Sequence, residues 1–285
     1  MKHKKFIFEI IILIFIGLVP LLWFQKDNII LGHDAGLTLS PISHFQDRLN
    51  SWTERFGFGN DQSYAIPGFF IHGLEAFVSW IGFSIQEVQK ITFVFWFLLP
   101  GFTMYYFSSR LEKKLKLHYF ALPVSIFYIF NHFLLQGWFV AERTKFSLYA
   151  ALPLLLAFLF DWKEKGQTFK TALLLSLTFF FLNGMASLPL FGGVIVTLLV
   201  FLIFYFLENF SIKGLVRLIS LFLLIGILSF LLQAYWLLPY GYYVSHSYSD
   251  AVTFFGGTAG IQEWIRYISE NSSFLNLFRL QGVPE

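Results

Sequence analysis

No cysteine occurs in the chain, which excludes disulfides, thiolate metal sites and cysteine nucleophiles. Charge is scarce as well: 13% of residues are Asp, Glu, Lys or Arg, about half the share of an ordinary soluble domain. No run of Lys and Arg is long enough for a nucleic-acid footprint. Internal repeats and low-complexity tracts are also missing. What remains is apolar. Of the 285 residues, 56% are hydrophobic, and Phe alone contributes 39. Mean hydropathy is +0.65. This composition describes a chain that crosses a membrane several times.

A helix needs roughly 20 apolar residues to cross the hydrocarbon layer. Seven stretches qualify or nearly do: 6–24, 88–107, 119–135, 146–160, 171–182, 188–207 and 215–238. The third, fourth and fifth are short or interrupted. The basic head and apolar core of the first stretch also fit a signal peptide. Its apolar run continues through Pro20 to Trp23 with no small-residue cleavage site, which favours an uncleaved helix. Glu9 sits inside that helix, near enough to its start to reach the membrane surface.

Lysine and arginine mark the sides. With the N-terminus in the cytoplasm, the inner segments carry Lys2, Lys4, Lys5, Arg110, Lys113, Lys114, Lys116, Lys163, Lys165, Lys170, Lys213 and Arg217. The two long polar segments, 25–87 and 239–285, then both face outward. The expected fold is an all-α polytopic bundle with a helical first outer loop. A membrane domain covers 1–238, and an outer segment begins at 239.

Within the first outer loop, Ser40 and Pro41 form a helix start. Phe45, Leu49 and Trp52 follow at helical spacing. The run "PGFFIHGLEAFVSWIGFS" reads as a helix resting in the interface. Ahead of them stands "LGHDAGLTLSP" with a lone carboxylate, Asp34, beside His33 and Gly36. Two readings of Asp34 stay open. It is a general base held at the membrane surface, or it closes a turn. His33 could ligate a metal, orient that base or sit in the interface. No His/Asp/Glu spacing makes a firm metal site, and no cofactor motif is visible.

Further along, Arg143 and Lys145 could grip a lipid phosphate or anchor in the interface. Lys90 has the same two readings. Glu142 is adjacent to Arg143 and points elsewhere on a helix. Asn183 marks a turn with Gly184. Near the end, six tyrosines lie between Tyr235 and Tyr267. They form an interfacial belt or a surface on which a sugar stacks. The chain is expected to leave its seventh span through Trp236 and Pro239. The last residues, Gln281 to Glu285, carry no stop signal and read as an excerpt or a short natural form.

Several of these pieces occur in an order that resembles the N-terminal membrane region of the alpha-(1→3)-arabinofuranosyltransferase family, among the GT-C glycosyltransferases. They are Asp34 with "LSP…F…RLNSW", "FGFGNDQSYAIPGFFIHG", "VQK", "AER", "LNG", "AYWLLPYGYYV", "SDAVTFFGGT" and "WIRYI". The resemblance implies a bundle of about seven spans in a prokaryotic plasma membrane. It implies transfer of a sugar from a polyprenyl phosphate donor to a cell-envelope glycan on the outer face, without a cofactor. It makes Asp34 the base and Arg143 and Lys90 the donor-phosphate ligands, with His33, Glu142 and Asn183 in support. The competing expectation is a non-catalytic scaffold or a protein that binds or moves a lipid-linked glycan. Transport is the weaker of these, since the span interiors hold few ionisable residues.

Overall fold

The computed structural model describes residues 2–25, 28–30, 39–53, 60–61, 63–139, 143–183, 188–254, 260, 262–263 and 266. Its described residues are almost entirely helical. Helix α1, Lys2–Gly17, continues as a 3-10 turn over Val19–Trp23. Helix α2, Pro41–Arg48, starts at the expected place: Pro41 enters the first turn, where its missing N–H costs nothing. Trp52 does not extend that helix. It belongs to β1, Trp52–Thr53, which pairs antiparallel with β2, Asn60–Asp61. Helix α3, Phe69–Trp80, follows a 3-10 turn over Ser63–Gly68 and packs on α2 and α4.

Helix α4, Ile85–Leu115, runs 31 residues. Its start is a reciprocal cap: the Glu87 N–H donates to Ser84 Oγ, and the Ser84 N–H donates to Glu87 Oε2 at 2.8 Å. Its end is Lys116, in the left-handed region at φ 53°. The stretch 119–135, expected as one span, is two helices: α5, Ala121–Ile129, and α6, His132–Phe139. Asn131 makes the break. Its Oδ1 accepts the Leu134 N–H at 3.0 Å and its Nδ2 donates to the Tyr128 carbonyl at 2.7 Å. That side chain satisfies the backbone groups left over at the interruption. Such breaks persist at membrane depth only where protein covers them. Here Tyr149 supplies the cover, its ring stacked on Tyr128 at 4.0 Å.

Helices α7, Arg143–Lys165, and α8, Thr168–Phe181, are joined by a tight turn in which Gly166 has φ +72°. Then come α9, Leu188–Glu208, and α10, Ile212–Phe254. Helix α10 runs for 43 residues with Pro239 inside it, so the chain passes 238, the expected end of the seventh span, without leaving the helix. The main core joins α7 to α10 around Leu155, Leu159, Trp162, Leu175 and Leu221.

Among the described residues, four helical stretches are long and apolar enough to cross a membrane: Lys5–Trp23, Ile85–Leu115, Lys145–Lys165 and Ile212–Tyr243. Large apolar side chains project from them into the surroundings, among them Phe8, Phe15, Leu223 and Leu231. Lipid is the solvent that accommodates such a surface.

The bundle has two unlike ends. At one, Lys5 bonds Glu112 at 2.6 Å, Arg110 meets Asp161 at 3.2 Å and Lys114 meets Glu164 at 2.9 Å. Lys163 pairs with Glu208, and the Arg217 guanidinium lies 4.6 Å from the Trp162 ring. The basic residues assigned to one side of the membrane thus gather at one end of the molecule. Helices α2 and α3 stand at the other.

Close approach of α4 to its neighbours depends on missing side chains. A Cβ on Gly17 would come within 2.6 Å of Leu98, and one on Gly101 would overlap Ile129. Small residues let helix backbones meet in this way. Gly101→Leu is expected to cost about 1–3 kcal/mol by overpacking, read as a lower melting temperature in detergent. Gly226→Leu is the control, because Gly226 has open space around it. Equal effects at the two positions would refute the packing account.

Candidate functional site

Helix α3 interrupts an apolar run with two ionisable residues, His72 and Glu75. Three residues apart, they share a face, and that face is the buried one. His72 is 4% exposed and Glu75 1%. A buried carboxylate needs an opposite charge or it destabilises the fold. Arg143, the first residue of α7 and 8% exposed, supplies that charge by pairing with Glu75 Oε1. The other carboxylate oxygen, Oε2, lies 3.4 Å from His72 Nδ1. On the far side of His72 the edge of the His44 ring packs at 4.5 Å between centroids. His44 in turn accepts from Arg48 Nε at 3.4 Å, one helical turn along α2. The chain His44–His72–Glu75–Arg143 therefore joins both loop helices to the bundle.

Electrostatics give each group a state. Burial lowers the pKa of His72 to about 2, and the positive charges of Arg143 and Arg48 act the same way. Glu75 does not reverse this, because Arg143 has already neutralised it. Burial lowers Arg143 to about 10, so its guanidinium stays charged at neutral pH. The imidazole is consequently neutral. The geometry assigns its proton to Nδ1, facing the carboxylate. Nε2 keeps its lone pair, and among the described residues no hydrogen-bond donor reaches it. A group that protonates only near pH 2 accepts hydrogen bonds at neutral pH but does not abstract protons. His72 thus donates to Glu75 and leaves Nε2 as an open acceptor.

The same state links His72 to stability. Unfolded, it would protonate near 6.5; folded, only near 2. Below pH 6.5 the unfolded chain binds the extra proton, so stability falls as pH falls, by up to about 1.4 kcal/mol per unit. Between pH 6.5 and 5 the expected loss is about 2 kcal/mol. Melting curves of wild type and His72→Gln across that range test it: the variant should lose much of the slope. An unchanged slope would assign the effect to other groups.

Around the cluster the walls are aromatic. Phe70 sits against Phe180 at 4.9 Å and Phe181 at 4.4 Å, and Tyr235 packs on Phe180 at 5.9 Å. Tyr235 is the member of the tyrosine-rich stretch that reaches this wall. Gln89, buried in the first turn of α4, accepts the Ile30 N–H at 2.8 Å and donates back to the Ile30 carbonyl. This two-way bond fastens Ile30 to α4.

Of the residues singled out in the sequence, Asp34, His33 and Glu142 lie outside the described residues. Arg143 does enter a polar site, but as the buried partner of Glu75. Lys90 is half-buried, its ammonium 5.8 Å from the Phe24 ring. Asn183 is buried at the end of α8. Sequence reasoning missed His44, Arg48, His72, Glu75 and Gln89. For His72 and Glu75 a signal existed: two ionisable residues on one face of an otherwise apolar helix are costly unless partnered. Nothing local pointed to Arg143 as that partner. Among the described residues no three His, Asp or Glu side chains gather as a metal site. Comparison with known protein families, with curated proteins and with solved structures finds no match to this chain.

Proposed function

We propose that the chain is a membrane glycosyltransferase of GT-C type. It moves a sugar, arabinofuranose-like by resemblance, from a polyprenyl phosphate donor to a glycan of the cell envelope. In this reading α1, α4, the broken pair α5–α6, α7, α8, α9 and α10 make seven passes of a prokaryotic plasma membrane. The lysine-rich end lies in the cytoplasm and the α2–α3 platform outside.

The observation that carries the reading is the buried Glu75–Arg143 pair with His72 and Arg48 around it. It fastens a polar platform to an apolar bundle at the end away from the lysines. Lipid-linked sugar transfer needs such a place: a leaving phosphate requires nearby cations, and the reacting groups require a fixed frame. Arg143 has five N–H donors, and its pairing with Glu75 sets the plane in which they point. Lys90 is the second candidate for the phosphate. Asp34 is the proposed base and His33, Glu142 and Asn183 its support. Gln89 holds Ile30, four residues ahead of Asp34 in the chain.

A second reading has an observation in its favour. Within the described cluster, His72 is too weak a base and Glu75 is engaged by Arg143, so neither of these two serves as the base. A scaffold that binds a lipid-linked glycan without reacting would need nothing more. The test is transfer of sugar from polyprenyl phosphate donors by the purified chain in lipid nanodiscs. Transfer supports the enzyme. A folded chain that binds these donors and transfers from none of them is a scaffold.

A further inference from the structure

At the lysine-rich end, α1, α4 and the α4–α5 turn enclose a cleft of about 810 Å³. Its inner wall holds two carboxylates, Glu9 and Glu112, and both are already engaged. Glu112 accepts from Lys5 at 2.6 Å and from the Phe120 and Ala121 N–H groups at 3.0 and 2.9 Å. Glu9 accepts from Tyr105 Oη at 2.6 Å, with Lys5 Nζ 3.7 Å away. The rim is different. Lys113 and Lys116 line it from exposed positions, and among the described residues neither side chain has an ion-pair partner. Phe6 and Leu117, both exposed, line the same opening. An adjoining cleft of about 400 Å³ between α4 and α7 offers a contrast: there Arg110 and Lys114 are paired with Asp161 and Glu164.

We propose that this cleft binds the headgroup phosphate of an anionic phospholipid, with Lys113 and Lys116 as its ligands and the lipid chains against Phe6 and Leu117. The occupant follows from the pairing of features. A cationic rim beside an apolar opening, on a protein whose flanks are lipid-covered, suits a molecule with a phosphate at one end and hydrocarbon at the other. Free phosphate would use only the first feature. The charge balance of the lining matters too: Lys5, Lys113 and Lys116 outnumber Glu9 and Glu112, so the cleft is net positive. The site lies at the opposite end from the His72–Glu75–Arg143 cluster and does not depend on the glycosyltransferase reading.

The experiment is native mass spectrometry of the purified full chain, titrated with phosphatidylglycerol or with phosphatidylcholine of the same acyl chains. The wild type should retain one phosphatidylglycerol in clear preference to phosphatidylcholine. Lys113→Gln with Lys116→Asn, the Asn chosen for the left-handed backbone at 116, should weaken that binding about 30-fold, at roughly 1 kcal/mol per lysine. Lys170→Gln with Lys213→Gln removes equal charge from exposed positions outside this cleft and should leave binding unchanged. Equal retention of the two lipids would overturn the proposal, as would an equal loss in the two double variants. Competition by glycerol phosphate at the concentration of the lipid would reassign the cleft to a soluble anion.

Discussion

Glu75→Gln should destabilise the protein by about 3–5 kcal/mol, a drop in melting temperature on the order of 10 °C for a chain of this size. The amide keeps the shape of the side chain and can still hydrogen-bond, so the loss measures charge. Arg143 would remain buried and cationic with its neutralising partner gone. The penalty comes mostly from that stranded guanidinium. Removing both charges should therefore recover most of the loss: Glu75→Met with Arg143→Met is expected near wild type, since well-packed apolar pairs replace buried ion pairs at little cost. Thermal unfolding of Glu75→Met, Arg143→Met and the double, all in one detergent, separates the contributions. A Glu75→Gln protein as stable as wild type would mean that the pair is not the fastening between α3 and α7. His72 gives an internal check. With Glu75 neutral, its Nδ1–H loses a charged acceptor and the cations around it remain, so Glu75→Gln should not raise its affinity for protons.

Asp34→Asn should lower sugar transfer by 10² to 10⁴-fold, on the order expected when a general base is lost, and leave the melting temperature within a few degrees. The alternative role, closing a turn beside Gly36, predicts the opposite pattern. Losing a cap or turn side chain costs roughly 0.5–2 kcal/mol of stability and does not touch the chemical step. Asn also closes turns well, so the substitution spares the structural role while deleting the proton acceptor. Initial rates with a polyprenyl phosphate sugar, measured beside the fraction folded, distinguish the two. Near wild-type transfer by a folded Asp34→Asn protein would remove Asp34 from the reaction. On the glycosyltransferase reading the base lies outside the described cluster, where His72 is held neutral and Glu75 is committed to Arg143.

Local rules read much of this architecture from the sequence. Ser40 and Pro41 announced α2 because a proline in the first turn has a purely local cause. The lysines and arginines that grouped by side in the sequence also group at one end of the bundle, where Lys5, Arg110, Lys114 and Lys163 find acids on neighbouring helices. Two features escaped for opposite reasons. The break at Asn131 lies between apolar runs that hydropathy merges into one, and only the side-chain bonds to Leu134 and Tyr128 reveal it. At Pro239 the sequence marked only where the span was expected to end, and the helix continues past it. The polar cluster was the least legible part. Its pairing of Glu75 with Arg143 joins residues far apart in the chain, and no spacing rule reaches that far.

Helix α10 has a mechanical consequence. Its 43 residues extend about 65 Å at 1.5 Å each, roughly twice the hydrocarbon thickness. Leu221 and Trp236 are clamped in the bundle, whereas Tyr242 and His246, stacked on each other at 4.0 Å, stand exposed on the part beyond. Between the two lies Pro239, which cannot donate to the Tyr235 carbonyl one turn earlier. The helix thus carries an arm beyond its clamp, joined to it across one missing backbone hydrogen bond. Deleting one residue at the joint would turn the Tyr242–His246 arm by about 100° about the axis and leave the clamp untouched. The direction in which that arm faces is therefore set by residue count alone.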